Sequence, residues 1–378
     1  MYPKCLLESI HQVRLFVTIY EDFQNEEKEK VFLDEGGFER GAHMENIRIS
    51  IVMPTYNSGK TIDKVLRSIR NQTINQNELE ILVIDGGSTD NTLSIAKKYG
   101  AIILENPEKI PETAKRIGFA YAHGEYILMQ DSDEVWCKRE QLADRLRFFE
   151  VNKDVFCLIT DKLVPGKHCG LSCAYLNIVS DPFGYIIYQN KNSKVEQNKK
   201  YLLRASDLGN IYRYGKNDIA PIGDGGCTMV SLKKARELFG DRVVSQEFAT
   251  SIFIQMVNAT HKVGIIPEDN IIHYSTASFR SYLKKLRFRI HINLNNIEKS
   301  GYASRARYSR KLEHRKIYFV LYALSIVGPF WDSVRLSILY GRPSFLLHFV
   351  YTYYICIVGF EEIIMKRLGI KRKYSYGK

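Results

Sequence analysis

The residues with the most chemistry to offer stand together. Asp131, Ser132, Asp133 and Glu134 close the apolar run Tyr126-Ile127-Leu128-Met129-Gln130. Three carboxylates within four residues repel one another unless something positive offsets them, and a divalent cation with oxygen ligands is the natural partner. Two further polar residues, Asn57 and Asp85, end apolar runs earlier in the chain.

The elements needed to position these residues are legible around them. "IRISIVMPTYN" reads as a buried strand leading into a loop, and Ile62, Val65, Leu66 and Ile69 repeat at the spacing of an amphipathic helix. "LEILVIDGGSTDNT" is a second strand broken at Gly86-Gly87, with Thr89 or Asp90 placed to cap a following helix. "AIILEN" is a third strand, Pro111 to His123 a helix, and "EYILMQDSDE" a fourth strand. Strand–helix alternation with near-continuous apolar strands predicts an α/β fold: a mostly parallel sheet with helices on both faces. Ligands of such sheets bind beyond the carboxyl ends of the strands, where Asn57, Asp85 and Asp131 all fall. Residues 151–220 read as a variable region with a flexible loop, and regular structure returns with "GDGGCTMVSLKKARELFG" and "HKVGIIPEDNIIHY".

Charge divides the chain. Of 54 Lys/Arg and 42 Asp/Glu, His273 to Lys378 holds 20 against 5, leaving 34 against 37 for the rest. A near-neutral body with a basic C-terminal quarter points to an anionic surface there. The basic residues flank apolar runs, and no nucleic-acid motif is present, which argues against nucleic acid and for membrane lipid. "SFRSYLKKLRFRIHINL" has the mixed character of a helix lying on a membrane. Uncharged runs of 15 residues (Ile317–Trp331) and 17 residues (Ser344–Phe360) follow, slightly short of the roughly 20 that a span needs. Basic clusters before and after them predict a hairpin with both ends cytoplasmic. Seven cysteines without paired spacings fit reduced thiols. At the N-terminus, Lys4, Glu8 and Arg14 interrupt any signal-like apolar core, residues 21–30 read as solvated, and Met44 is an alternative start.

Four segments in this order, "SIVMPTYNSGKTI", "LVIDGGSTDNT", "ETAKRIGFAYAHGEYILMQDSDE" and "GGCTMVSLKKA", resemble the family 2 glycosyltransferases with their GT-A fold, over roughly Ile49 to Tyr274. The resemblance implies a nucleotide-sugar site formed by Pro54, Thr55, Tyr56, Asn57, Asp85, Lys115, Asp131 and Ser132. Asp131-Ser132-Asp133 matches the D-x-D element, so Asp131 and Asp133, with His273 after the last strand, are the implied ligands of Mg2+ or Mn2+ bridging the donor diphosphate. Glu247, in Ser245-Gln246-Glu247-Phe248, stands where the family carries its general base, although the family's Asp is absent; Asp224 and Asp241 are alternatives. Arg287 and Arg289 are implied diphosphate or headgroup contacts.

The expected organisation is an N-terminal extension (1–46), a GT-A catalytic domain (47–274), basic amphipathic interface helices (275–316), a membrane hairpin (317–365) and a basic cytoplasmic tail (366–378). This arrangement resembles a reduced form of the cellulose-synthase and dolichol-phosphate-sugar-synthase enzymes. The expected activity is transfer of a UDP- or GDP-linked sugar, with inversion, to a lipid-linked acceptor at the cytoplasmic membrane face. A non-lipid surface glycan as acceptor, or an inactive nucleotide-binding scaffold, are the rivals.

Overall fold

The computed structural model describes residues 46–167, 170–215, 218, 227–244, 246–275, 278–295 and 310–370. The N-terminal extension up to residue 45, Asp224, Ser245 and the basic tail from residue 371 lie outside them.

A nine-stranded sheet forms the centre, and its first half is parallel. β1 (Ile49–Thr55) lies between β2 (Leu79–Asp85) and β4 (Tyr126–Met129), and β3 (Ile102–Glu105) flanks β2. β2 is buried along its whole length and β1 at all but Pro54, which explains why neither shows polar alternation. Beyond β4 the sheet becomes mixed. β10 (Thr228–Ser231) runs antiparallel between β4 and β6 (Cys157–Ile159). β11 (Lys262–Ile265) is parallel to β6, and the hairpin β8 (Leu202–Ser206)–β9 (Gly209–Arg213) closes the edge through β9.

Successive strand residues face opposite layers. Ile51, Met53, Ile81 and Val83 meet Ile62, Val65, Leu66 and Ile69 of α1 (Ile62–Arg70), with Phe148 and Phe149 of α4 (Gln141–Val151) beside them. α2 (Thr92–Lys98) adds Ala96 to that layer. Val52, Leu82 and Ile84 face the other way, onto Ala114 and Phe119 of α3 (Pro111–Tyr121). That layer also receives α8 (Leu232–Phe239) and α9 (Gln246–Thr260) through Ala235, Met256 and Val257. Gly118 is what lets α3 lie so close to β1: a Cβ there would fall 2.3 Å from Val52 Cγ1.

A second sheet of three short strands orders β5 (Glu134–Trp136), β12 (Ile271–His273) and β7 (Leu163–Pro165). Its register sets His273 opposite Glu134, bringing a residue from late in the chain to the Asp131–Asp133 turn.

The middle of the chain is more regular than its sequence suggested. α5 (Leu171–Ile178), α6 (Pro182–Tyr188) and α7 (Lys194–Asn198) occupy it. Their pattern was obscure because Ala174 and Tyr175 pack on later helices instead of the central sheet, against Tyr282 and Leu286 of α10 (Phe279–Asn295) and Tyr351 of α13 (Leu347–Arg367).

The first apolar run is not one straight helix. It divides into α11 (Arg310–Leu324) and α12 (Val327–Leu339), which meet at 90°. Pro329 cannot bond back to Ser325 and its ring crowds that carbonyl. Ser325 Oγ instead accepts from Gly328 N at 3.1 Å, and Ile326 turns with φ 56°. Among the described residues one helix, Pro343–Arg367, is long and apolar enough to cross a membrane.

Candidate active site

Two loops and one turn meet at the carboxyl ends of β1, β2 and β4. After β1, Asn57 adopts φ 49°, a conformation Asn tolerates. Its amide oxygen accepts from Thr89 N at 2.8 Å, and its own N–H donates to Ser88 Oγ at 2.8 Å. Asp85 ends β2 nearly buried and organises its own turn. It accepts from Gly87 N (2.9 Å), Ser88 N (2.7 Å), Ser88 Oγ (2.5 Å) and Thr55 Oγ1 (3.2 Å). Thr55 therefore faces Asp85, while Tyr56 stands half exposed over Gly86, where a Cβ would come within 3.6 Å of the ring. Gly87 has φ 87° and would meet the Lys109 amine at 3.5 Å if it carried a Cβ. Gly86, Gly87, Tyr56 and Lys109 thus make a lip of backbone, ring and charge. Asp90 caps both sides of the loop contact, accepting from Thr92 N at 3.0 Å and Gly59 N at 3.0 Å.

The loop is fastened to the acidic turn by Ser58 Oγ and Ser132 Oγ, 2.7 Å apart. The four acidic-turn residues then separate in function. Asp131 opens to solvent from a recess otherwise walled by protein. That enclosure and the neighbouring Asp133 charge push its carboxyl upward, while Lys115, His273 and Lys285 pull it back. The enclosure pushes Asp133 upward too, but the His273 hydrogen bond and the positive charges of His273 and Lys285 outweigh it, so Asp133 lies below the usual range. Glu134 is not directed into the recess. It is buried beneath the turn, accepts from Asp131 N at 3.1 Å and Cys227 Sγ at 3.4 Å, and is pushed up to about 8 by burial and by the Asp131 charge. At neutral pH its carboxyl is held protonated, which relieves part of the repulsion among the three acids.

His273 is held from both sides. Its Nδ1 lies 2.5 Å from Asn177 Oδ1, an acceptor, so Nδ1 carries hydrogen; the Asn177 amide nitrogen donates to His273 O at 3.4 Å. Nε2 then faces Asp133 Oδ2 at 3.3 Å. A lone pair and a carboxylate at that separation require a shared cation, a proton or a metal. Burial depresses the imidazole, but Asp133 and the Glu134 and Asp131 carboxyls raise it further, favouring the charged ring. Tyr274 N donates to Asp133 O at 2.8 Å and completes the splice.

Asp131, Asp133 and His273 converge, yet among the described residues no group of three or more His, Cys, Asp or Glu forms a metal cage by itself. The donor set fits a hard cation that takes one or two carboxylates and completes its shell with phosphate oxygens and water. Lys115 on α3 and Lys285 on α10 both act on this recess. Arg287 points elsewhere, pairing with Glu361 at 2.9 Å. Asp241 is exposed in the short turn before α9. Glu247 belongs to α9, but its side chain lies outside the described residues.

Sequence reasoning missed Asn177 and Lys285. Asn177 had no motif around it. Lys285 belonged to a basic helix read as lying on a membrane, on which only Arg287 and Arg289 were implied to reach a diphosphate or headgroup, although its position next to Leu286, which is buried, marks an inward face.

Residues 50–167 match the family described as glycosyl transferase family 2. The chain is 33% identical over 127 residues to the poly(ribitol-phosphate) beta-N-acetylglucosaminyltransferase TarS of Staphylococcus aureus, covering 32% of this chain and 22% of the relative. It is 36% identical over 95 residues to a poly(ribitol-phosphate) beta-glucosyltransferase of Bacillus spizizenii, covering 23% of this chain and 15% of the relative. The chain therefore matches less than a quarter of the length of either. Among solved structures, UDP-bound S. aureus TarS 1–349 aligns with TM-score 0.45 at 17% identity, covering 88% of this chain and 95% of that one. The matched segment lies in the first part of a mixed α/β fold with a large central sheet and flanking helices.

Proposed function

We propose that the protein is an inverting, metal-dependent glycosyltransferase. It moves a sugar from a UDP- or GDP-linked donor to a lipid-linked acceptor, a polyprenyl phosphate or pyrophosphate-linked glycan, at the cytoplasmic face of the cell membrane. The observation that carries this reading is the Asp133–His273 pair, set beside Asp131 at the strand ends of a family 2 domain and attended by Lys115 and Lys285.

In this mechanism Tyr56 and the Gly86-Gly87 backbone receive the base, and the Asp85 turn holds them in place. Lys115 and Lys285 draw the diphosphate into the recess, where low solvent access strengthens their effect. Asp131, Asp133 and His273 would hold a divalent cation, which when bound offsets the charge of the departing diphosphate. Asn177 keeps a proton on His273 Nδ1, so that Nε2 is the nitrogen that would serve as a ligand, a bound cation taking the place of its proton. Glu247 is the base that takes the acceptor proton, unless the acceptor is an ionised phosphate that needs none. Membrane lipids as a partner follow from the exposed apolar faces of α11, α12 and α13.

A second reading, a polyol-phosphate polymer as acceptor, is favoured by the similarity to two poly(ribitol-phosphate) glycosyltransferases. The test is nucleotide release by detergent-purified protein. It uses UDP- and GDP-sugars with Mn2+ or Mg2+, offered polyprenyl phosphate or poly(ribitol phosphate), beside Asp133→Ala and Glu247→Gln. Lipid-dependent release lost in Asp133→Ala supports the first reading, and polymer-dependent release without lipid supports the second. Nucleotide binding without release from any donor would leave a scaffold.

A further inference from the structure

Resting on the membrane part of that reading, we propose that the C-terminal helices are a monotopic anchor: α11, α12 and α13 lie in one leaflet of an anionic bilayer and do not cross it. The reason is the way α13 is fastened. About 30 Å long at 1.5 Å per residue, it is bound to the catalytic unit along nearly its whole length. His348 Nδ1 meets Tyr175 OH at 2.6 Å, and Tyr351 OH meets Ser172 Oγ at 2.7 Å. Further along, Glu361 pairs with Arg287 at 2.9 Å and Glu362 with His291 at 2.7 Å; Lys366 Nζ donates to Leu294 O at 2.7 Å. A spanning α13 would draw the charged helix α10 into the hydrocarbon with it. Charges at bilayer depth are strongly disfavoured.

The opposite face of α13 is the one left open. Leu346, just before it, and Val350, Ile357, Phe360 and Ile364 within it follow one stripe and are exposed. The elbow repeats the pattern. Val327, Phe330, Trp331 and Ile338 form an exposed stripe on α12, while Asp332 on its other side accepts from Tyr322 OH at 3.0 Å and Arg335 Nε at 3.1 Å. At 13 residues α12 is about 20 Å long, too short to cross a core of about 30 Å, and the 90° bend prevents α11 from extending it. Exposed Arg342 and Arg367 stand at helix ends and exposed Lys316 lies within the first half of α11, just before its apolar run, where anionic headgroups would meet them. One inner face packed on the domain, one outer apolar face and a basic rim match the surface of a leaflet.

The test uses full-length protein in inverted membrane vesicles from expressing cells. Arg342→Cys is labelled with a membrane-impermeant maleimide, and native Cys137, exposed on the catalytic unit, is the same-side control. A monotopic anchor leaves both thiols labelled to the same extent before and after detergent. A thiol at 342 protected until detergent is added would overturn the proposal. Flotation with mixed phosphatidylcholine–phosphatidylglycerol vesicles should be reduced roughly tenfold by Trp331→Glu, if the charge costs about 1.4 kcal/mol. Absence of flotation, together with a stable dimer by light scattering, would assign these faces to a second copy and equally overturn it. Neither readout depends on sugar transfer, so a failed acceptor assignment leaves this inference standing.

Discussion

The guanidinium of Arg145 offers the sharpest test of how the recess is supported. Arg145 is fully buried on α4 and donates to Asp269 through Nε at 2.9 Å, to Thr160 Oγ1 at 2.9 Å and to Cys227 O; it also lies 4.8 Å from the centre of the Trp136 ring. Asp269 has one other side-chain partner among the described contacts, the Gln141 amide at 2.6 Å. Arg145→Met fills most of the space but leaves a buried carboxylate without its counter-charge. Breaking a buried pair from one side costs about 3–5 kcal/mol. At roughly 2–4 °C per kcal/mol for a domain of this size class, the melting midpoint should fall by about 6–20 °C. Removing both charges in Arg145→Met/Asp269→Leu should recover most of that loss, because the penalty lies in the orphaned charge. Calorimetry and urea titration of both variants in detergent measure this. The reasoning is refuted if the single variant loses less than about 1 kcal/mol, or if the double variant is the less stable of the two.

Three further outcomes follow from the site and its supports. Asn177→Leu should weaken Mn2+ binding in the presence of UDP by about 10–100-fold, measured by titration calorimetry; unchanged affinity would dissociate Asn177 from the His273 tautomer. Glu134 has its proton held from an ordinary value of 4.5 up to about 8. Between those values the folded state binds more protons than the unfolded one, so stability falls as pH rises through that window. Glu134→Gln should flatten that slope in denaturant titrations, and an unaltered slope would count against it. Gly118→Ala places a methyl 2.3 Å from Val52 Cγ1 and should cost about 1–3 kcal/mol by overpacking; a neutral result would mean that α3 can shift without penalty.

The parallel half of the fold was legible because its signals are local. Continuous apolar strands, the Ile62–Ile69 periodicity and the Gly86-Gly87 break each state their element within a dozen residues, and the α/β architecture follows from their alternation. The mixed half was less legible, since nothing around Thr228–Ser231 reveals that it pairs antiparallel to β4. Within the acidic turn, sequence showed three carboxylates but not their directions. Glu134 turns inward only because β5 pairs with β12. Asn177 and Lys285 were illegible for a related reason: each gains its position from packing between elements about a hundred residues apart in the chain, which no window spans. The apolar run Ile317–Trp331 concealed its bend because hydropathy counts residues, whereas Pro329 acts on backbone geometry.

The placement of β10 between β4 and β6 has a bearing on how the chain matures. Strands β1 to β4 can assemble from contiguous sequence, as loop-closure costs are low for near neighbours. β6 cannot join them until Thr228–Ser231 arrives as the bridging strand, and His273 reaches the acidic turn only when β12 zips onto β5. During synthesis, therefore, the loops after β1 and β2 exist well before the second wall of the recess. A nascent chain halted near residue 170 would expose the hydrogen-bonding edge of β4 and the lone acidic turn, a surface that invites mispairing. The wall that carries His273 is a late addition, and α10, which brings Lys285 to the recess, follows it in the chain.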